Sequence, residues 1–560
     1  MKRCLLSSFI ALLIGGSLHA QGDYSDGRRL AQRINALAKS HPQYVKTRSL
    51  VKTLGGADIW LITIGTGQTE QKPAIAVVGG VEGKHLLGVE LAIGFAEKLL
   101  ASAQTDSIRR LLDEQTFYVF PNMSPDATEQ YFAAVQYERN GNARQTDDDR
   151  DGKIAEDGYD DLDGDGKITF IRVEDATGTH ILNPDEPRSL IPADLAKGQV
   201  GRFLVFPEGI DNDKDGTFNE DGEEGVHFNK NATYNYRNFL PGAGEHAVSE
   251  AENRAMFDFL YDAFNVYAVV AFGPYNNLSS PEQAGRGDGA GPPQQGRRPG
   301  GRKITSWSSQ DAKANAFVSE QYRKITGTTD APKATAGEGN FAEWAYYHYG
   351  RFSFSTPGWW VPRVKADSAS RGRNLDNASN GSNDPVAAYL KWAESEGISN
   401  TFAEWKPIEH PDFPGKRVEV GGIHPFVLNN PPHTLVDDIA SKHTAFVVAL
   451  AGMAPKLDVV DLKTEKLDNN LTRISLKVLN SGLLPSLTQV GERSYFLKQI
   501  TVNVKTTGSQ NVVSGRKIQT LGAVAGGQAV ELSWLVQGSG KLSIEAGSVS
   551  TGKKTVEVTL

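Results

Sequence analysis

Cysteine is almost missing from this 560-residue chain: there is one, Cys4. That excludes a disulfide-stapled scaffold and a cysteine-rich zinc site. A basic excess is missing too, with 59 Lys and Arg against 67 Asp and Glu, a net charge of −8. A nucleic-acid binder carries a basic footprint, so nucleic acid is not an expected partner. At 39% hydrophobic and 22% charged residues the composition is that of an ordinary globular chain. It excludes a multi-span integral membrane protein and a wholly disordered one. At roughly 100–200 residues per domain the length implies more than one domain. A core of that size needs no covalent staples.

The lone cysteine sits in a segment with its own pattern. Lys2 and Arg3 precede an apolar run, Leu5 to Ile14, and Ser17-Leu18-His19-Ala20 offers a small residue before Gln21. This is the pattern of a signal peptide over 1–20, too short for a spanning helix. A secreted or periplasmic location is expected. Removing Lys2 and Arg3 takes the charge from −8 to −10.

The acids are concentrated. Residues 147–166 hold ten acids and two bases, and residues 208–224 hold eight acids and one base, together −15. The rest of the exported chain is therefore slightly basic. Asp147, Asp149 and Asp151 alternate into Gly152; Asp161, Asp163 and Asp165 into Gly166; Asp211, Asp213 and Asp215 into Gly216. Alternating carboxylates with Gly at the sixth position match the first half of an EF-hand-type loop, so calcium is the expected cofactor. The bidentate Glu of the twelfth position is replaced by Gly158, Arg172 and Gly222. Glu156, Asp157, Glu220 and Asp221 are the residues available to close the sites instead.

Periodicity predicts helices over 25–39, 86–100 and 249–264, and strands over 58–64, 74–78, 116–120 and 266–272. Alternation of this kind implies an α/β domain with a mainly parallel or mixed sheet flanked by helices. We place it at 21–455, with an acidic insertion at 147–222 and a Gly/Pro/Arg-rich flexible insertion at 284–303. Beyond it, 456–560 reads as an all-β sandwich of short alternating strands.

Five segments resemble a known family in order and spacing. They are Gly79-Gly80-Val81-Glu82-Gly83-Lys84-His85, Pro121-Asn122-Met123-Ser124-Pro125-Asp126, Gly225-Val226-His227-Phe228-Asn229-Lys230-Asn231, Ser249-Glu250-Ala251-Glu252, and Trp344-Ala345-Tyr346 followed by Phe352–Thr356. They resemble the zinc, Asn-Pro-Asp-Gly, Asn-Arg, Ser-Glu-Pro-Glu and late-strand segments of the metallocarboxypeptidases of peptidase family M14. The acidic loops resemble a secreted bacterial branch of that family.

The resemblance implies zinc held by His, Glu and a later His with one open position. Here Glu82 and His85 stand in inverted order. The third ligand should end the strand 266–271, where the chain reads Phe272-Gly273-Pro274-Tyr275. Pro357 occupies the place of the general-base Glu, and Lys230 that of the substrate-gripping Arg beside Asn229. Lysine lacks the planar fork. His227 replaces the Asp that backs the first zinc His. We therefore expect a Glu82–His227 hydrogen bond in the old metal pocket.

Three functions are compatible with this pattern. In the first, the zinc site is degenerate and the cleft holds a peptide or peptide-like ligand without efficient hydrolysis. In the second, Glu82 and His85 bind zinc with His227, His246 or His348, and Glu338 or Glu343 is the base of an active peptidase. In the third, the chain is a secreted calcium-dependent binding or adhesion protein.

Overall fold

The computed structural model describes residues 23–147, 152–154, 157–219, 222, 225–285, 304–332, 335–362, 384–494 and 496–560. The expected signal segment, most of the 284–303 insertion, and Asp149, Asp151, Glu156, Glu220 and Asp221 lie outside them.

In chain order the first domain carries β1 (Val45–Lys52), β2 (Asp58–Ile64), β3 (Ala74–Val78), β4 (Thr116–Phe120), β5 (Phe170–Glu174), β6 (His180–Asn183), β7 (Glu186–Pro192), β8 (Phe203–Pro207), β9 (Val266–Phe272), β10 (Phe352–Thr356), β11 (Phe402–Ile408) and β12 (Val418–Ile423). Its helices are α1 (Gly27–Ser40), α2 (Leu86–Ala101), α3 (Asp106–Glu114), α4 (Pro125–Thr128), α5 (Ala251–Asp262), α6 (Ser309–Thr326), α7 (Phe341–Tyr347), α8 (Pro385–Glu396) and α9 (Val436–Gly452).

The central sheet has the order β1-β2-β4-β3-β9-β10. The pairs β4/β3, β3/β9 and β9/β10 are parallel, and β1/β2 and β2/β4 antiparallel. Every residue of β3, β4, β9 and β10 is buried. Parallel strands covered on both faces read as continuous apolar runs, as these do. One face packs on α1, α2 and α9 through Ile34, Phe95 and Val447; the other packs on α5 and α7 through Met256 and Trp344.

Two expectations are corrected. The segment Trp344-Ala345-Tyr346 is part of helix α7 rather than strand, and only Phe352–Thr356 is extended. The cause is local: Asn340 accepts the N–H groups of Ala342 and Glu343, capping the helix, and Phe341, Trp344 and Ala345 share its buried face. The acidic insertion is also more than loop. Strands β5 to β8 pair with β11 and β12 in an antiparallel sheet of order β11-β12-β5-β8-β6-β7. Residues 402–423 thus complete a sheet whose first strand begins at Phe170.

The C-terminal residues form β13 (Leu457–Leu467), β14 (Leu471–Asn480), a short α10 (Gln489–Glu492), β15 (Ile500–Lys505), β16 (Asn511–Ser514), β17 (Ile518–Leu521), β18 (Ala529–Gln537), β19 (Lys541–Ser548) and β20 (Gly552–Thr559). Their sheets have the orders β13-β14-β18-β16 and β17-β15-β19-β20. Inward residues alternate along the inner strands, as Ile474, Leu476 and Val478 do along β14, and meet Val502, Trp534 and Ile544 in one core.

Candidate functional site: a filled cleft end and two acidic loops

Glu82 and His85 lie in the loop from β3 to α2, at the carboxyl edge of the parallel strands, where ligands of open α/β sheets collect. His85 does not face a cleft. It is 5% exposed, and its Nε2 lies 3.0 Å from the Pro357 carbonyl. A carbonyl there requires Nε2 to be the N–H donor. Nδ1 is buried with no hydrogen-bond partner. Burial pushes the imidazole down from 6.5 to about 4, against the opposing influence of the Pro357 and Phe272 carbonyls. The residue is a neutral plug under the ends of β9 and β10.

Glu82 pairs with a residue other than the expected one. Its Oε1 accepts from Asn229 Nδ2 at 2.7 Å, while Asn229 Oδ1 accepts the Phe341 N–H at 2.9 Å. Asn229 therefore staples the Glu82 loop to the first turn of α7. The expected Glu82–His227 bond is replaced, among the described residues, by this Glu82–Asn229 contact. The His227 ring instead packs under Gly242, where an added Cβ would come within 2.6 Å of Cδ2. Lys230 turns outward and donates to the Pro241 carbonyl at 3.0 Å.

Gly273, in the segment where the resemblance puts a third ligand, is closely packed. A Cβ built on Gly273 would lie 2.3 Å from Cγ2 of Val81, itself 3% exposed. Val is stiff about its only side-chain torsion and cannot swing clear cheaply. The space that a ligand side chain would need is filled by a methyl group. At the base position, Pro357 contributes its carbonyl to His85.

The other candidates are scattered. His246 Nδ1 lies 3.3 Å from its neighbour's carbonyl, His348 Nδ1 lies 2.7 Å from Thr233 Oγ1, and Glu338 meets Arg237. Glu343 lies in the first turn of α7. Among the described residues, three acidic or imidazole donors converge within 4.8 Å in two places, both in the acidic insertion and neither including Glu82, His85 or His227. A catalytic zinc needs three protein ligands around an open position. The cleft residues do not fit one.

The acidic loops are built alike. In each, the N–H of the sixth-position Gly donates to the first Asp: Gly152 to Asp147 at 3.2 Å, Gly166 to Asp161 at 2.9 Å, Gly216 to Asp211 at 3.1 Å. The three glycines have φ of +95°, +81° and +96°, the left-handed region that Gly occupies without strain. Asp161, Asp163 and Glu208 form one donor group, and Asp211, Asp213 and Asp215 the other.

Glu208 was not singled out as a ligand. It is fully buried and accepts from Leu162 N, Thr169 N and Thr169 Oγ1. Burial raises its carboxyl, and Asp163 adds to that. Its place as the first acid of the second cluster, directly after β8, was the available signal. Asp157 meets the other loop, accepting from Asn212 and Asn219 N–H groups. The loops thus cross-brace: a residue beside one closes or supports the next. Lys406 reaches Asp163 at 3.0 Å, and Lys214 reaches Asp412 at 3.1 Å. Both carboxylate groups fit a hard cation with oxygen ligands.

A model of the zinc carboxypeptidase family, peptidase M14, matches residues 30–357. The chain belongs to that family. A model of a domain of unknown function, DUF8731, matches residues 456–559. No curated protein sequence matches the chain. Among solved structures it is similar to bovine thrombin-activatable fibrinolysis inhibitor in complex with tick carboxypeptidase inhibitor, at 10% identity and a TM-score of 0.38 over 77% of this chain and 96% of that one. It is also similar to carboxypeptidase A from Helicoverpa armigera, at 13% identity and a TM-score of 0.34 over 61% of this chain and 66% of that one. Among the described residues no helix is long and apolar enough to cross a membrane.

Proposed function

We propose that this protein is an exported member of the M14 family whose cleft holds a peptide-like ligand without zinc-dependent hydrolysis, on a scaffold loaded with calcium. The observation that carries the reading is the contact between Gly273 and Val81. A side chain added at Gly273 would run into Val81, so that position offers no third ligand. Three further changes point the same way. His85 is neutral and turned into the fold. A proline stands where a carboxylate base would accept a proton, so no proton shuttle is available there. Lys230 lacks the fork that grips a terminal carboxylate in two places. Calcium is supported by the repeated Asp–Gly geometry and by Glu208 as a closing carboxylate.

The test is metal analysis of the purified exported chain together with a carboxypeptidase assay on peptides with varied C-termini. Bound calcium, less than a tenth of an equivalent of zinc and no C-terminal trimming are expected. About one zinc per chain, with hydrolysis abolished by its removal, would establish the active-peptidase reading instead.

A further inference from the structure

We infer that the C-terminal β-module is an intramolecular brace, holding the α6, α7 and β10 side of the first domain in place. A module that works on its own ligand at the end of a linker is free to swing, because interfaces within a chain are small by default. This module is attached at two separated places. The first is the covalent crossing, where Leu484 N donates to the Met453 carbonyl at 3.0 Å.

The second is the loop 484–498, which reaches back over three elements of the first domain. Its centre is Asp311, in the first turn of α6 and fully buried. The Asp311 carboxylate accepts the Gln489 N–H at 2.9 and 3.0 Å, the Val490 N–H at 3.4 Å and the Tyr346 hydroxyl at 2.9 Å. Two donors come from the module and one from α7, so one buried acid joins all three elements. Separating the module would take away two of that carboxylate's three donors, and a buried charge loses stability when its hydrogen-bond partners are removed.

Around it the packing is close. Thr488 Oγ1 donates to the Gly350 carbonyl at 2.7 Å. A Cβ on Gly350 would lie 2.9 Å from the Gly491 Cα, and one on Gly491 would lie 2.4 Å from the Gly350 oxygen. The backbones touch because neither residue has a side chain. Val490 joins Trp307 and Tyr346, whose rings stack at 3.9 Å. Phe496 meets Tyr261 edge-on at 5.0 Å and Phe264 at 5.1 Å, with Lys498 over the Phe264 ring. The braced turn, residues 348–351, feeds β10, and β10 runs directly into Pro357 at the cleft. The module therefore sets where that strand ends.

Hydrogen exchange on the full chain tests this. Thr488→Ala and Phe496→Ala both lie in the module, so they leave the first domain's own sequence intact. Each should speed exchange in Phe341–Thr356 by at least tenfold, while β14 and β18 inside the module keep their protection. Asp311→Asn should act in the same direction, since it keeps one oxygen acceptor but loses the charge. Unchanged exchange over 341–356 in the two module variants would overturn the inference. So would a wild-type chain that unfolds in two separated thermal transitions, because a brace must melt together with what it holds.

Discussion

The cleft end and the acidic insertion are both marked in the sequence as places for a metal, and the structure treats them oppositely. At the cleft the donors Glu82, His85 and His227 are present, yet one is buried under a carbonyl, one is tied to an amide and one lies under a glycine. In the insertion, carboxylates from distant positions converge: Asp161 and Asp163 meet Glu208, and the 211–215 loop leans on Asp157. Residue type and spacing nominate a ligand. Whether it coordinates depends on what packs against it and whether space remains for an ion.

The largest expected effect comes from the insertion. Chelation of calcium should lower the thermal midpoint clearly, since a ligand at one hundred times its dissociation constant contributes about 2.7 kcal/mol per site. Glu208→Gln keeps the acceptor but removes the charge, and should cut the calcium-dependent shift by about half. Differential scanning with and without EGTA reads both. A midpoint indifferent to calcium would erase the contrast between the two regions.

An effect of comparable size belongs to the cleft and to a second buried imidazole. His443 donates from Nδ1 to the Ile439 carbonyl and accepts from Tyr322 at Nε2. Burial pushes both His85 and His443 down to about 4 from 6.5. The unfolded chain takes protons below pH 6.5 that the folded one refuses until pH 4. Their stabilising contribution is therefore complete above about pH 6.5 and lost as the pH falls toward 4. At about 1.4 kcal/mol per pKa unit, each is worth on the order of 3 kcal/mol across that window. Denaturant titrations at pH 7, 5.5 and 4.5 measure the slope, and His443→Phe should flatten part of it.

The smallest effect tests the closure itself. Gly273→Ala forces a methyl group against Val81 and should cost about 1–3 kcal/mol. Adding Val81→Ala should recover much of it. If Gly273→Ala is neutral, the third-ligand position is open and the contrast between the two regions narrows.

The parallel strands were legible because a doubly covered strand is continuously apolar, as in Ala74–Val78 and Val266–Phe272. The family segments were legible because they are local. The helical state of Trp344–Tyr346 was not, since it depends on the Asn340 cap and on burial against Phe257, whose ring stacks on Trp344 at 3.9 Å. The insertion's strands were hidden because short strands with alternating polarity carry little signal alone, and β5 finds one of its two partners, β12, far away in the chain. Glu208 was hidden for the same reason: its neighbours Asp161 and Thr169 are some forty residues away in sequence.

The sequence by itself determined the class of fold, the family and the three Asp-x-Asp-x-Asp-Gly loops, because each is written in residue types at short spacing. Tertiary structure alone decided that Val81 fills the gap left at Gly273, that Glu82 pairs with Asn229 rather than His227, that Glu208 closes an acidic loop, and that Asp311 ties the C-terminal module to the first domain. Those outcomes depend on contacts between residues far apart in the chain. Close packing and the pairing of buried polar groups select them, and neither is visible until the chain has folded.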